Sequence, residues 1–262
     1  MIAPPLGRRR WPRQFGPALR CMPSCGMSWR AEASPPDSAT RVGSPPDISR
    51  PEDVLDLLRR AITDSGYQVG PEGVAIALDP AASEFYRDGR YQVGGESLSS
   101  QDMVDRFTAI VEEFPVWSIE DGMAETDTWG GWAALTDALG DRIQLVGDDN
   151  FVTDPDLIAA AVGDHIANAA LIKVNQVGTV SETLAALQVC RDSGGYGAMI
   201  SHRSGGETTD PFIADLAVGG SGCGQIKSGA PARGERVVKY NRLLEIARSA
   251  PPSQPFGLPT HL

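Results

Sequence analysis

Six short apolar runs recur along the chain, and a charged side chain follows each one. The gaps between them are long enough for a helix, so the pattern predicts repeated strand–helix units and a parallel sheet. In an α/β barrel the C-terminal ends of the strands open on one face, where the chemistry takes place. The runs and their charges are 74–78 with Asp79, 116–119 with Glu120, 143–147 with Asp148, 170–172 with Lys173, 198–201 with His202, and 224–226 with Lys227.

Helix signals fill the gaps between these runs. Pro51 marks the first turn of a helix that Gly66 ends, and a final helix runs up to residue 248. Other helices are predicted to begin at Ser99-Ser100, Thr153-Asp154-Pro155, Ser181-Glu182 and Asp210-Pro211. A closed barrel of this kind has eight strands, whereas the pattern gives six. We therefore predict an α/β fold, a partial TIM-type barrel of about six βα units, which is either open at its edges or a partial copy of a larger protein.

Composition divides the chain into three parts. Residues 1–47 are rich in Pro, Arg, Ser and Gly, which predicts a disordered or non-native extension. Their six arginines and lack of acidic residues up to position 31 also resemble a transit peptide, but a convincing amphipathic helix is missing. Residues 48–248 form the predicted barrel domain, and the proline-rich residues 249–262 form a flexible tail.

Charge and cysteine usage narrow the functional classes. A net charge of −11 argues against nucleic-acid binding, and no apolar run reaches the roughly 20 residues that a membrane span needs. The chain has four cysteines, which suit free thiols in a reducing compartment, so a cytoplasmic location is expected. Cys21 and Cys25 could suggest a metal pair, but no second Cys or His pair at ligand spacing accompanies them.

The charged strand ends suggest a metal site. Asp79, Glu120 and Asp148 are hard oxygen ligands on three successive strand ends, a set that suits Mg²⁺ with open positions for water and a substrate oxygen. Any one of them alone could instead cap a helix or face solvent. Asp121 and Asp149 directly follow two of the three, and we expect them to make supporting contacts rather than bind the ion.

Basic groups accompany the carboxylates. Lys173 lies among apolar neighbours, where it could act as a base or form a structural salt bridge to a barrel carboxylate. Lys227 could supply a second positive charge and hold a substrate anion. His202, Arg203 and Ser204 lead into a Gly-Gly pair, and an arginine beside a hydroxyl and exposed amides suits a phosphate. Alternatively, Arg203 is an exposed loop charge.

At these residues the chain resembles enolase, the phosphopyruvate hydratase family of glycolysis. The likeness extends over roughly residues 48–248 and rests on many segments in the same order. They are LD followed by ASEFY (82–86), SIED (118–121), VGDD (146–149), LIKVNQVG (171–178), SHRSG (201–205), FIADL (212–216) and GQIKSGAP (224–231). The resemblance implies the C-terminal barrel domain of that family.

The resemblance also implies a function. It makes Asp79, Glu120 and Asp148 the ligands of Mg²⁺ and Lys173 the base, and it places the substrate near the four residues His202, Arg203, Ser204 and Lys227. The implied reaction is the dehydration of 2-phosphoglycerate to phosphoenolpyruvate. In sites of this kind a lysine takes the proton while Mg²⁺ stabilises the resulting enolate. A homodimer is implied as well.

The chain departs from the family at one place. Enolases carry their general acid in a segment similar to VGDEGG, where this chain has RVGSPPDI over residues 41–48. The N-terminal capping domain and the first two barrel strands have no counterpart in residues 1–41. Three hypotheses follow: an impaired Mg²⁺-dependent lyase, a weak remnant that binds metal or ligand or associates with a full-length enolase, and an artefactual truncation of a longer polypeptide.

Overall fold

The computed structural model describes residues 2–3, 50–70, 73–203, 208–220 and 223–249. Nearly all of the predicted extension, and the predicted tail after residue 249, lie outside the described residues. The strands are β1 Ile2–Ala3, β2 Ala75–Leu78, β3 Tyr86–Arg87, β4 Arg90–Val93, β5 Glu96–Leu98, β6 Val116–Glu120, β7 Gln144–Gly147, β8 Ala169–Ile172, β9 Gly197–Ser201 and β10 Gln225–Lys227.

Eight α-helices accompany these strands within the described ranges, and none of them is long and apolar enough to cross a bilayer. A short 3₁₀ helix, Ala82–Phe85, and a π-helical turn, Thr128–Trp132, complete the set. The helices are α1 Pro51–Asp64, α2 Ser100–Glu113, α3 Ala133–Leu139, α4 Pro155–Gly163, α5 Val174–Val177, α6 Val180–Asp192, α7 Phe212–Gly219 and α8 Gly234–Ser249.

The main sheet has the order β1-β2-β6-β7-β8-β9-β10. Its last six strands run parallel in chain order, whereas β1 pairs antiparallel with β2 at the edge. The sheet is curled, because the Nζ of Lys227 at the end of β10 lies 2.6 Å from the Oδ2 of Asp79 just after β2. Six parallel strands in a curled sheet confirm the predicted partial barrel.

Alternation along the strands sets the two faces of this sheet. Residues pointing outward pack under the helices in one large core cluster, as Leu145 and Ile172 do. Residues pointing inward form a separate apolar cluster of Val146, Ala169, Leu171 and Met199. Because successive side chains on a strand alternate between faces, the residue two positions after Val146 or Leu171 points inward as well. Asp148 and Lys173 occupy those two positions.

Local signals place the helices where the sequence predicts them. Ser99 caps α2 in a capping box with Asp102, and the Asp154 side chain accepts two backbone N–H groups at the start of α4. Pro51 begins α1, and Gly66 follows its end with a φ of +79°. Each of these helices returns the chain to the start of the next parallel strand, so all the strand C-terminal ends lie at one rim.

A three-stranded antiparallel sheet of β3, β4 and β5 was not predicted. In the sequence it comes between β2 and α2. Tyr91, on its middle strand β4, is fully buried. The Tyr91 hydroxyl donates to the Oδ2 of Asp127 at 2.7 Å and accepts from the backbone N–H of Ala124 at 3.1 Å. The small sheet therefore fixes the loop that follows β6, at the rim where the charged strand ends meet.

Candidate active site

The charged residues predicted at the strand ends do converge at this rim. Glu120 and Lys227 are the last residues of β6 and β10, and Asp79, Asp148 and Lys173 directly follow β2, β7 and β8. Three carboxyl groups therefore face two lysine side chains at this rim. Several carboxyl oxygens close together are the kind of donor set that binds a hard cation.

Lys227 joins two of the three carboxylates. Its Nζ donates to the Oδ2 of Asp79 at 2.6 Å and also to the Oε1 of Glu120. The Glu120 side chain is 2% exposed and that of Lys227 is 17% exposed, so the pair is largely removed from water. These contacts connect the first, second and last parallel strands across the inner face.

The same surroundings shift the pKa values of both groups. Burial raises the pKa of Glu120 well above that of an ordinary carboxyl, and the charges of Asp79 and Asp148 add to this, while Lys227 opposes it. Burial by itself lowers the pKa of Lys227, but Glu120 and Asp79 outweigh it and the net shift is upward. Lys227 therefore stays protonated, as a group that holds an anion must.

Lys173 pairs with the third carboxylate. Its Nζ donates to the Oδ2 of Asp148, and both side chains are mostly buried. This is the salt bridge that the sequence left open as an alternative to a base. The backbone N–H of Lys173 donates to the Oγ1 of Thr153 at 2.9 Å, and that hydroxyl lies 2.9 Å from the Oε1 of Gln176. Fully buried Thr153 thus fixes the backbone from which Lys173 extends.

Two carboxylate oxygens at the rim remain available. The Oε2 of Glu120 and the Oδ1 of Asp148 are buried and have no hydrogen-bond partner among the described residues. A buried carboxylate oxygen without a donor is costly unless a cation binds it. Hard oxygen atoms of this kind suit Mg²⁺, so the residues at the rim fit a divalent ion.

A second acidic group overlaps with this one. One oxygen from each of Asp121, Asp148 and Asp149 lies within 4.8 Å of the others. Both oxygens of Asp121, however, already accept backbone N–H groups, those of Asp148 at 2.8 Å and Asp149 at 3.2 Å. Burial raises the pKa of Asp121 to about 7, although these two hydrogen bonds lower it. Asp121, at a left-handed φ of +46°, therefore orients the backbone of Asp148, as the sequence suggested.

The predicted substrate-binding residues lie on the neighbouring strand ends. His202 follows β9, and its backbone N–H donates to the carbonyl of Lys227 at 2.9 Å, which extends the pairing of β9 with β10. Arg203 is exposed, and one of its guanidinium nitrogens donates to the carbonyl of Asn175 at 2.7 Å. Arg203 therefore stands beside the Lys173 segment. Ser204 lies outside the described residues.

Sequence reasoning missed several residues that hold these groups in place. Thr153 was predicted only as part of a helix start, and Asn175 was assigned nothing. Both act through a single polar atom, Oγ1 in one case and a backbone carbonyl in the other. The spacing of residues in the sequence does not reveal which single polar atoms make such contacts. Once the backbone is known, the φ of +62° at buried Thr153 indicates a residue held in an unusual conformation near a functional site.

The fold and the site together define a section of an α/β barrel whose inward carboxylates and lysines meet at the C-terminal ends of its strands. Residues 33–253 match the family model described as enolase, C-terminal TIM barrel domain. The chain belongs to this family.

Two curated relatives agree with the family assignment. The chain is 53% identical over 209 residues to the protein named enolase of Rubrobacter xylanophilus, an alignment that covers 79% of this chain and 47% of the relative. It is 50% identical over 206 residues to enolase 1 of Methanospirillum hungatei JF-1, covering 78% of this chain and 47% of that protein. The chain spans about half the length of the curated relatives it matches.

Proposed function

We propose that this chain carries the C-terminal active-site half of an enolase and acts as a Mg²⁺-dependent lyase on 2-phosphoglycerate. The observation that carries the proposal is a pair of buried oxygens, one on Glu120 and one on Asp148, that have no partner in the described part of the chain. Asp148 also accepts from the ammonium of Lys173. Asp79, Glu120 and Asp148 would hold the metal. When bound, Mg²⁺ would supply electrostatic stabilisation of the enolate that forms from the substrate carboxylate.

The lysines have separate roles in this proposal. Lys173 takes the proton from the carbon beside the carboxylate, for which it must first lose its own proton. Its Nζ donates to the Oδ2 of Asp148, so the amine lies directly beside one of the proposed metal ligands. Lys227, His202, Arg203 and Ser204 would hold the carboxylate and phosphate of the substrate, with Lys227 as a permanently charged group.

Completing the reaction requires a second proton. The hydroxyl group leaves the neighbouring carbon as water, and a general acid must protonate it. The segment 41–48, where the family carries that acid, lies outside the described residues and has no DEGG sequence. Losing general acid catalysis typically costs about 10²–10⁴-fold in rate. We therefore propose an impaired lyase rather than a fully active one.

The alternative is a remnant that binds metal or ligand without turnover. The direct pairing of Lys173 with Asp148 favours it, because that contact occupies the amine that would have to take the substrate proton. A remnant could also associate with a full-length enolase. Under either hypothesis, three properties of the chain stay predictions from the sequence. They are a cytoplasmic location, a homodimer and the absence of nucleic-acid binding.

A direct assay separates these two functions. The purified chain with Mg²⁺ and 2-phosphoglycerate is expected to give a slow rise in the ultraviolet absorbance of phosphoenolpyruvate, which the variant Lys173→Ala should not give. Equal rates for the two proteins, with Mg²⁺ binding retained, would reject the lyase and support the remnant.

A further inference from the structure

Two adjacent residues of α8 contact two different loops at the site. Lys239 is only 4% exposed, and its Nζ donates to the carbonyl of Thr208 and, at 2.6 Å, to the carbonyl of Glu235. The hydroxyl of the next residue, Tyr240, donates to the carbonyl of Gly229. Neither residue was singled out by the sequence patterns.

The two loops are those that follow the predicted substrate-binding residues. Thr208 lies on the segment between Arg203 and α7, and Gly229 lies two positions after Lys227 at the end of β10. The side chains that would hold the two anionic groups of a substrate are thus attached to loops with a common anchor. That anchor is a single turn of α8.

Hydrogen bonds to α8 hold one residue of each loop in place. A buried ammonium is stable only when its donors meet acceptors, so each carbonyl that Lys239 binds offsets part of its desolvation. If Thr208 moved away, a buried charge would lose an acceptor. Gly229 is held by the hydroxyl of Tyr240, and its φ of +71° is one that a glycine adopts readily. Neither Thr208 nor Gly229 can therefore shift without losing a hydrogen bond to α8.

We propose that Lys239 and Tyr240 are positioning residues that fix the loop after His202-Arg203 and the loop after Lys227 relative to each other. What the loops bind rests on the proposed function, whereas their common anchorage does not. The metal ligands, in contrast, extend from β2, β6 and β7. Weakening the anchor should therefore lower the affinity for the anion but not the affinity for the metal.

Two variants test this, Lys239→Met and Tyr240→Phe. Hydrogen exchange of the amides in 208–212 and 228–231 is expected to accelerate by about five- to tenfold, because each variant removes a hydrogen bond to a loop carbonyl. With Mg²⁺ present, the affinity for 2-phosphoglycerate should fall by a similar factor. The affinity for Mg²⁺ should not fall, and exchange in β6–β8 should not change. Lys239→Arg, which keeps the charge, should recover part of the loss.

Arg242→Met is the matched control. Arg242 lies on the same helix and pairs with Asp215 of α7 at 2.7 Å, but neither of those groups lies on the two loops. It should leave loop exchange and anion affinity unchanged. Accelerated loop exchange in Arg242→Met equal to that in Lys239→Met would overturn the proposal, since the effect would then be a general loosening of α8.

The outcomes remain separable from the proposed function. If the wild type does not bind 2-phosphoglycerate, the enolase assignment fails, but loop exchange still tests the anchor. If Lys239→Met does not fold, Tyr240→Phe decides, because it removes one hydroxyl and keeps the ring. Unchanged loop exchange in Tyr240→Phe, or an equal loss of Mg²⁺ affinity, would contradict the proposal.

Discussion

Replacing Lys173 with alanine is expected to slow exchange of the C2 proton of 2-phosphoglycerate with solvent by about 10²–10⁴-fold. Proton abstraction requires only the base and a stabilised enolate, whereas dehydration also requires the general acid. Exchange should therefore persist in this chain even where dehydration is slow. Proton NMR in D₂O with Mg²⁺ follows the loss of the C2–H signal directly.

A surface variant controls for this measurement. Arg191→Ala on α6 removes an exposed charge whose neighbours Asp192 and Gln188 lie on the same helix. It should exchange at the rate of the wild type. Exchange in the wild type that is no faster than in Lys173→Ala would remove Lys173 from the role of base.

Replacing Lys227 with methionine is expected to destabilise the metal-free protein by about 3–5 kcal/mol. The change leaves the buried carboxylate of Glu120 close to that of Asp79 without the ammonium that now joins them. A loss of this size lowers the melting temperature by about 10 °C in a domain of this length. Thermal unfolding in the presence of a chelator measures it.

Excess Mg²⁺ should restore much of this loss. The ion and the Lys227 ammonium would share the carboxylates of Asp79 and Glu120, so Lys227→Met should bind Mg²⁺ more tightly than the wild type and gain more stability from it. The control is Arg106→Met, which breaks a partly buried ion pair that does not lie at the rim. In this pair the Arg106 guanidinium is 2.8 Å from the Oε1 of Glu52. Equal Mg²⁺ rescue of the two variants would show that the rescue does not arise at Asp79 and Glu120.

The strand ends were predictable because physical periodicity and residue type coincide there. Apolar runs such as 170–172, followed by a charge, indicate a buried strand that ends at a polar rim, and the parallel order follows from the helices between them. The sequence does not predict which of these charged residues form ion pairs with each other. Lys227 reaches Asp79 only because the sheet curls, and no local pattern contains that curvature.

The antiparallel sheet of β3–β5 could have been predicted from its turns. Asp88-Gly89 and Gly94-Gly95 are both strong signals for two-residue hairpin turns, and all four residues have positive φ. The strands between them are two to four residues long, too short for a period-2 pattern to emerge. Helix α3 was missed for a related reason, since it follows a Trp-Gly-Gly π turn instead of a capping residue.

Calorimetric titration of Mg²⁺ into Glu120→Gln, Asp148→Asn and Asp149→Asn decides whether the proposed carboxylates share one ion. If Asp79, Glu120 and Asp148 do so, the first two variants should bind Mg²⁺ at least about tenfold more weakly, because each loses a charged oxygen ligand. Asp149→Asn should bind it as the wild type does, because residue 149 contacts Asp121 through its backbone N–H, which the variant keeps. Unchanged affinity in Glu120→Gln together with a loss in Asp149→Asn would contradict this site and assign the ion to Asp121, Asp148 and Asp149.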